Sequence, residues 1–183
     1  MQSPAGFAPE PVPVFETTTL EITGGVLRAW TPADAPVLVD AWSDASISAW
    51  NPVPPEPDLA TARRWIAGAA TRETKRVSMD WVIDVAPLGG VVGEVGLSGF
   101  SPEHSGAMIG YWLLAKGKGQ GLATAAVRAV TCHAHRQLGL ETIVARCHPD
   151  NPASGAVVAR VGYGKERLDS TGHELWMSRT RGA

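Results

Sequence analysis

Three glycines at alternate positions punctuate the run Lys116-Gly117-Lys118-Gly119-Gln120-Gly121-Leu122-Ala123-Thr124. Lacking Cβ atoms, such a stretch can turn sharply and bring successive N–H groups against a ligand. A helix starting near Leu122 would add N–H groups without internal partners and a dipole that favours negative charge, so the chemistry of this segment is anion binding, with a pyrophosphate as the natural guest. Two common phosphate loops are excluded. GxxxxGK[ST] does not occur, and GxGxxG/A fails because Leu122 and Thr124 stand three residues after Gly119 and Gly121. Farther along, Asn151 and Ser154 open a predicted helix, and Glu94, His104 and His148 are side chains that could move a proton.

The elements that must position these residues follow from periodicity and turn chemistry. Val26 to Trp30 alternates as a first strand, and Thr31-Pro32-Ala33-Asp34 starts a helix running to about Trp42. Trp50 to Pro57 holds four prolines and is a stiff loop. Asp58 caps a second helix that carries Leu59, Ala62, Trp65, Ile66 and Ala69 at helical spacing. Strands are expected at Met79 to Val85, Val91 to Phe100 and Ala107 to Leu114, joined by glycine-containing turns. A helix from about Leu122 to Leu138 then leads to a β-branched strand, Thr142 to Cys147. A short helix from Ala153 to Val161 and a strand from Leu175 to Arg179 complete the order β-α-α-β-β-β-α-β-α-β, an α/β arrangement around a mixed sheet.

With these elements in place, the sequence resembles the GNAT acetyltransferase superfamily, in particular its RimJ/RimL-like branch. Lys118-Gly119-Gln120-Gly121-Leu122-Ala123 matches that family's coenzyme loop [Q/R]-x-x-G-x-[G/A], with lysine in place of the usual first residue. Ile109 to Leu114 is similar to the family's fourth strand, and Asn151-Pro152-Ala153-Ser154 followed by Gly162-Tyr163 is similar to its N-x-x-S and G-[FY] pair. The resemblance covers nearly everything after the leader. It implies a GNAT fold, a mixed and mostly antiparallel central sheet with helices on both faces and splayed strands 4 and 5. It also implies acetyl-CoA as acyl donor, bound by Trp112, Leu113, Leu114, Lys118, Gly119, Gln120, Gly121, Leu122, Ala123, Thr124, Asn151 and Ser154, with an N–H near Trp112 or Leu113 polarising the thioester. Ser154, or Tyr163 as an alternative, would return a proton to the leaving thiolate.

Relatives commonly carry a glutamate just before Ile-Gly-Tyr, where this sequence has Met108, so Glu94 in the preceding strand is the replacement candidate for the base, ahead of His104 and His148. At neutral pH an α-amine of pKa about 7.7–8.0 costs about 1 kcal/mol to deprotonate, whereas a lysine costs about 4–5 kcal/mol, so a missing glutamate points to an α-amino or other low-pKa acceptor. Trp50, at the start of the Pro-rich loop, is the expected acceptor-site residue. Direct transfer in a ternary complex is the implied mechanism. The alternative is a non-catalytic acyl-CoA-binding module.

Length and charge agree with one domain spanning residues 20–183 after a flexible Pro-rich leader, residues 1–19. The 183 residues allow a substantial core, and a formal net charge of −2 without any basic stripe points away from nucleic acid. Cys132 and Cys147 form no CxxC pair or zinc-ligand cluster and read as two reduced, buried thiols, and no metal is implied. Without a signal-peptide pattern or an apolar run long enough for a membrane helix, a soluble cytoplasmic protein is expected. The family resemblance makes a homodimer one implied assembly.

Overall fold

The computed structural model describes residues 15–101, 103 and 105–180. One eight-stranded sheet forms the frame, in the order β1-β2-β3-β4-β5-β6-β8-β7. Leu20–Ile22 (β1) and Gly25–Ala29 (β2) make a hairpin. A 3₁₀ turn at Pro32–Asp34 leads into α1 (Ala35–Ser43) and α2 (Ala45–Ser48); after the Pro-rich loop come α3 (Leu59–Ala67) and α4 (Ala69–Thr74). An antiparallel meander follows in β3 (Ser78–Val85), β4 (Gly90–Ser101) and β5 (Gly106–Leu113). The helix α5 (Leu122–Arg136) then crosses over to β6 (Thr142–Cys147), which lies parallel to β5. Next come α6 (Pro152–Val161), β7 (Gly164–Leu168) and β8 (Glu174–Arg179), with β8 antiparallel to both β6 and β7.

Helices cover both faces, as the resemblance implied. Against one face α5 and α6 bury Val127, Val130 and Val158 on Trp81, Ile83, Leu97 and Ile143. Against the other, α1 and α3 bury Leu38, Ala62 and Ile66 on Trp30 and Val82. Trp81 is wholly buried, and its indole N–H donates to the Thr18 carbonyl at 2.8 Å, which satisfies the polar atom that burial would otherwise strand.

Several expectations shift in detail. The first helix begins with a 3₁₀ turn because Pro36 has no N–H to reach the Pro32 carbonyl; Ala35 donates to it instead. Asp34 does reach back to the Thr31 N–H and hydroxyl at 2.8 and 2.7 Å, and Arg28 holds the same carboxylate while also binding Asp84 at 2.7 Å. Burial pushes that carboxyl up, but the Arg28 and Thr31 bonds outweigh it and hold it below the ordinary aspartate range. The single helix expected from Asp58 breaks at Gly68 into α3 and α4. Two strands come as additions, β1 and β7, and every residue of β7 is exposed at the sheet's edge. At the start of the described chain, Phe15 packs edge-on against Phe100 and lies under the Arg76 guanidinium, so part of the expected leader rests on the domain. Residues 1–14 and His104 lie outside the described residues. Cys132 is exposed, contrary to expectation, and Cys147 is buried.

The close fit of β4 to β5 depends on Gly93. A Cβ there would lie 2.3 Å from the Trp112 carbonyl oxygen and 2.6 Å from Leu113 Cδ2, whereas one on Gly110 would meet nothing within 4 Å. Gly93→Ala is therefore expected to cost about 1–3 kcal/mol, and Gly110→Ala to stay within about 0.5 kcal/mol of wild type, in denaturant unfolding. Equal effects of the two substitutions would contradict this packing.

Candidate active site

The parallel ladder between β5 and β6 runs from Gly106↔Thr142 to Ile109↔Ala145 and stops there, while β5 stays paired with β4 as far as Leu113. Beyond Ile109 the two strands part. These are the splayed strands 4 and 5 of the expected fold, renumbered by the extra β1. Which groups face the gap follows from strand geometry. Ser105 accepts from Thr142 on the β6 side and Leu114 donates to Val92 on the β4 side, so odd-numbered residues of β5 turn their N–H and C=O groups towards β6. Tyr111 and Leu113 thus present unpaired N–H groups to the gap. The N–H of Trp112 points to β4, which leaves Leu113 of the two expected donors, and that of Leu114 is already bonded to Val92 at 2.8 Å.

The gap opens into a cleft of about 1730 Å³, larger than the 300–1,000 Å³ typical of drug-sized ligands and long enough to run past the glycine turn. Gly119 and Gly121 have φ of +78° and +76°, and a Cβ at either would project into open space. Among the described residues the N–H groups of residues 119 to 124 donate to no protein acceptor, and Lys118 Nζ crosses to the Ser46 hydroxyl at 3.0 Å. Open N–H groups, a helix start and a lysine together can take an anion. Lys118, Gly119, Gly121, Leu122, Ala123 and Thr124 line the cleft; the Gln120 side chain does not, its amide turning back to the Lys116 carbonyl.

On the α6 face of the gap, Asn151 caps α6 by accepting from the Ser154 N–H. The Tyr111 hydroxyl donates to the Ser154 carbonyl at 2.7 Å and lies 3.0 Å from its Oγ, and Cys147 Sγ lies 3.4 Å from the same Oγ. Burial raises the Tyr111 and Cys147 proton affinities, so both stay neutral. Tyr163 is elsewhere. Its ring is buried in the core and its hydroxyl lies 2.7 Å from that of Thr131, whose own proton goes to the Val127 carbonyl, so the expected alternative to Ser154 is corrected: Tyr111 is the tyrosine at this position. Alternation along β5 was the signal that could have found it, because Tyr111 shares a face with Leu113 and Ile109.

Glu94 is also corrected. It pairs with Trp112 across β4 and β5, and its two carboxylate oxygens receive the indole N–H groups of Trp30 at 2.8 Å and Trp112 at 3.1 Å. It does not line the cleft. Burial, reinforced by the nearby Asp80 charge, pushes its pKa up to about 8, a value suited to a general base, but reach comes before basicity and Glu94 lacks it. Trp50 does line the cleft, with its ring centroid 5.0 Å from that of His148, and His148 and His173 meet edge to face at the same distance. Among the described residues no group of three or more His, Cys, Asp or Glu side chains is placed to hold a metal ion, and no helix is long and apolar enough to cross a membrane.

Residues 26–164 match the family model described as an acetyltransferase (GNAT) domain. The chain belongs to the GNAT acetyltransferase family. Among its relatives, an N-acetyltransferase of Bacillus licheniformis named p20, itself uncharacterized, is 28% identical over 142 residues, 78% of this chain and 80% of the relative. The solved structure of the ribosomal-protein-S5-alanine acetyltransferase from Vibrio fischeri superposes with a TM-score of 0.77 at 18% identity, covering 88% of this chain and 96% of that one. Mycobacterium smegmatis RimJ in complex with CoA-disulfide superposes with a TM-score of 0.72 at 23% identity, covering 88% and 84%. The GNAT domain therefore includes the parted strands and the glycine turn, and the protein is an N-acetyltransferase.

In this GNAT domain Glu94 is a structural acid held near neutrality. Its pKa rises from 4.5 to about 8 on folding, so ionising it opposes the fold. Its contribution is undiminished below about pH 4.5, is lost progressively as the pH rises to about 8, and is level above that. Glu94→Gln is expected to flatten the stability profile across this window in urea unfolding, whatever it does to the absolute level. Parallel profiles for the two proteins would show that Glu94 is ionised throughout.

Proposed function

We propose that the protein transfers the acetyl group of acetyl-CoA to a primary amine, a peptide N-terminal α-amine or a small-molecule amine of similar pKa, by direct attack in a ternary complex. One observation carries this reading. The N–H groups of Tyr111 and Leu113 are left open by the parting of β5 from β6, in a cleft that continues to the unpaired N–H groups of residues 119 to 124. Acetyl-CoA supplies an activated thioester. Its pyrophosphate fits the cradle at Gly119 and Gly121, where the helix dipole of α5 and Lys118 favour negative charge. The pantetheine amides fit the open edge of β5, with Asn151 beside them, as an added strand would.

Each side chain then has a stated task. The Leu113 and Tyr111 N–H groups stabilise the thioester oxygen as charge gathers on it, because they are fixed in advance and need no reorganisation. Ser154 passes a proton to the departing thiolate and regains one from the water that takes the amine proton; the Tyr111 proton is committed to the Ser154 carbonyl, which leaves the Ser154 hydroxyl free to donate. With Glu94 out of reach, removal of the amine proton falls to water, which is affordable only for an amine of low pKa, at about 1 kcal/mol for an α-amine against about 4–5 for lysine. The ribosomal-protein acetyltransferase among the similar structures agrees with an α-amine acceptor. Trp50 walls the acceptor side, and a cytoplasmic location and a homodimeric assembly complete the reading on family grounds.

Acetyl-CoA at a hundredfold excess over its Kd should raise stability by about 2.7 kcal/mol, read as a thermal shift. An unchanged Tm would refute the binding claim, and a shift without acetyl transfer to any amine would favour an acyl-CoA-binding module. Gly119→Val and Gly121→Val should abolish the shift while leaving the far-ultraviolet dichroism near wild type, since both need positive φ and face the ligand's space. Ser154→Ala should keep the shift but lower kcat by about 10²–10⁴, the span of a lost proton donor; a kcat within threefold of wild type would assign the proton to solvent.

A further inference from the structure

At the mouth of the cleft, opposite Ser154, two imidazoles have their tautomers set by their neighbours. His148 follows Cys147 at the end of β6, and alternation sends their side chains to opposite faces: Cys147 towards Ser154, His148 towards Trp50. Extending the β5–β6 register places His148 level with Trp112, between the two open N–H groups of the facing strand. Extending the β6–β8 register places His173 directly opposite His148. The Nδ1 of His148 accepts the Asp150 backbone N–H at 3.1 Å. The Nδ1 of His173 lies 2.8 Å from the Thr171 hydroxyl, which can take either role, and 3.1 Å from an Arg146 nitrogen, which can only donate. In each neutral ring the lone pair is therefore at Nδ1 and the proton at Nε2. Neither Nε2 has a protein partner among the described residues, and both rings line the cleft. A ring in this tautomer offers a hydrogen to the cleft and no base.

We propose that His148 and His173 form a pair of fixed N–H donors that reads an unprotonated oxygen, a carbonyl or carboxylate, carried by the acceptor next to its amine. This deepens the acetyl-transfer reading above and rests on it. An α-amine has such an oxygen on the carbon adjoining Cα, whereas a lysine side chain or an alkylamine has none. The charges around the pair decide between the two oxygen classes. Among the described residues Arg146, the cation that touches the pair, is held by Asp169 at 2.5 Å, and the Asp150 carboxylate lies 3.7 Å from His148 Nδ1, so the neutral carbonyl of a peptide is favoured over a free carboxylate.

The test compares three acceptors with acetyl-CoA, each scored as kcat/KM per neutral amine: an alanyl peptide amide, free alanine, and sec-butylamine, in which an ethyl group replaces the carbonyl unit. Wild type should prefer the peptide amide to sec-butylamine at least tenfold, with alanine between them. His148→Phe and His173→Phe keep a ring at each position but no N–H; each should raise KM for the peptide, leave sec-butylamine unchanged, and retain the thermal shift with acetyl-CoA. His148→Gln, whose amide N–H lies near the position of Nε2, should restore most of the preference. Wild-type activity without a preference, or a preference that survives both phenylalanine variants, overturns the donor pair alone. Wild type that acetylates none of the three overturns the acetyl-transfer reading and the pair with it.

Discussion

Everything in this molecule turns on the place where β5 and β6 stop pairing. A parallel ladder that ended without replacement partners would leave buried backbone donors unsatisfied, at about 1–3 kcal/mol each. Here the loss is tolerated because the parted strands open to a cleft and not to packed core. Both faces of the gap are braced. On one, Tyr111 and Cys147 converge on Ser154 at the start of α6. On the other, Trp112 is held by Glu94, which is itself held by Trp30.

The Glu94 arrangement shows why a carboxylate in a neighbouring strand is not interchangeable with one that faces the reaction. Its ordinary role would be ionised and solvated, but at this depth two indole N–H groups are its polar company, while Asp80 adds a like charge. Arg72, lying over the Trp65 ring, answers Asp80 at 3.4 Å. The whole cluster ties α3 and α4 to the sheet. What it fixes is the position of Trp112, and through Trp112 the course of β5 at its open edge.

Much of this was legible in the chain. Alternating apolar positions marked β3, β4 and β5, and the glycine run at the start of α5 stood out because no ordinary turn needs three. What stayed hidden was hidden for physical reasons. β7 reads Gly-Lys-Glu-Arg-Leu with every side chain exposed, so burial left no pattern in it, and β1 is three residues long. Alternation along β5 puts Tyr111 on the face of Ile109 and Leu113, but that this face meets Ser154 at the start of α6 is a tertiary fact. Glu94 was chosen for its strand and failed on its face: its side chain turns to Trp30 on α1's side of the sheet. The donor pair His148 and His173 could not be seen at all without the β6–β8 register, which brings together residues 25 apart in sequence.

The two edges of the sheet share one further property. An open edge is a row of unpaired peptide groups that another chain can copy, and proteins that leave it long and apolar tend to grow into fibres. Here one border is the three-residue β1, and the other carries Lys165, Glu166 and Arg167 in succession, with Glu166 bound to Arg179 and Lys165 to Glu174. A second copy approaching along β7 would have to strip water from those charges before gaining any backbone bond. The same five residues that sequence patterning passes over thus act as the sheet's stop signal, keeping eight strands at eight while the chain is crowded among its own copies.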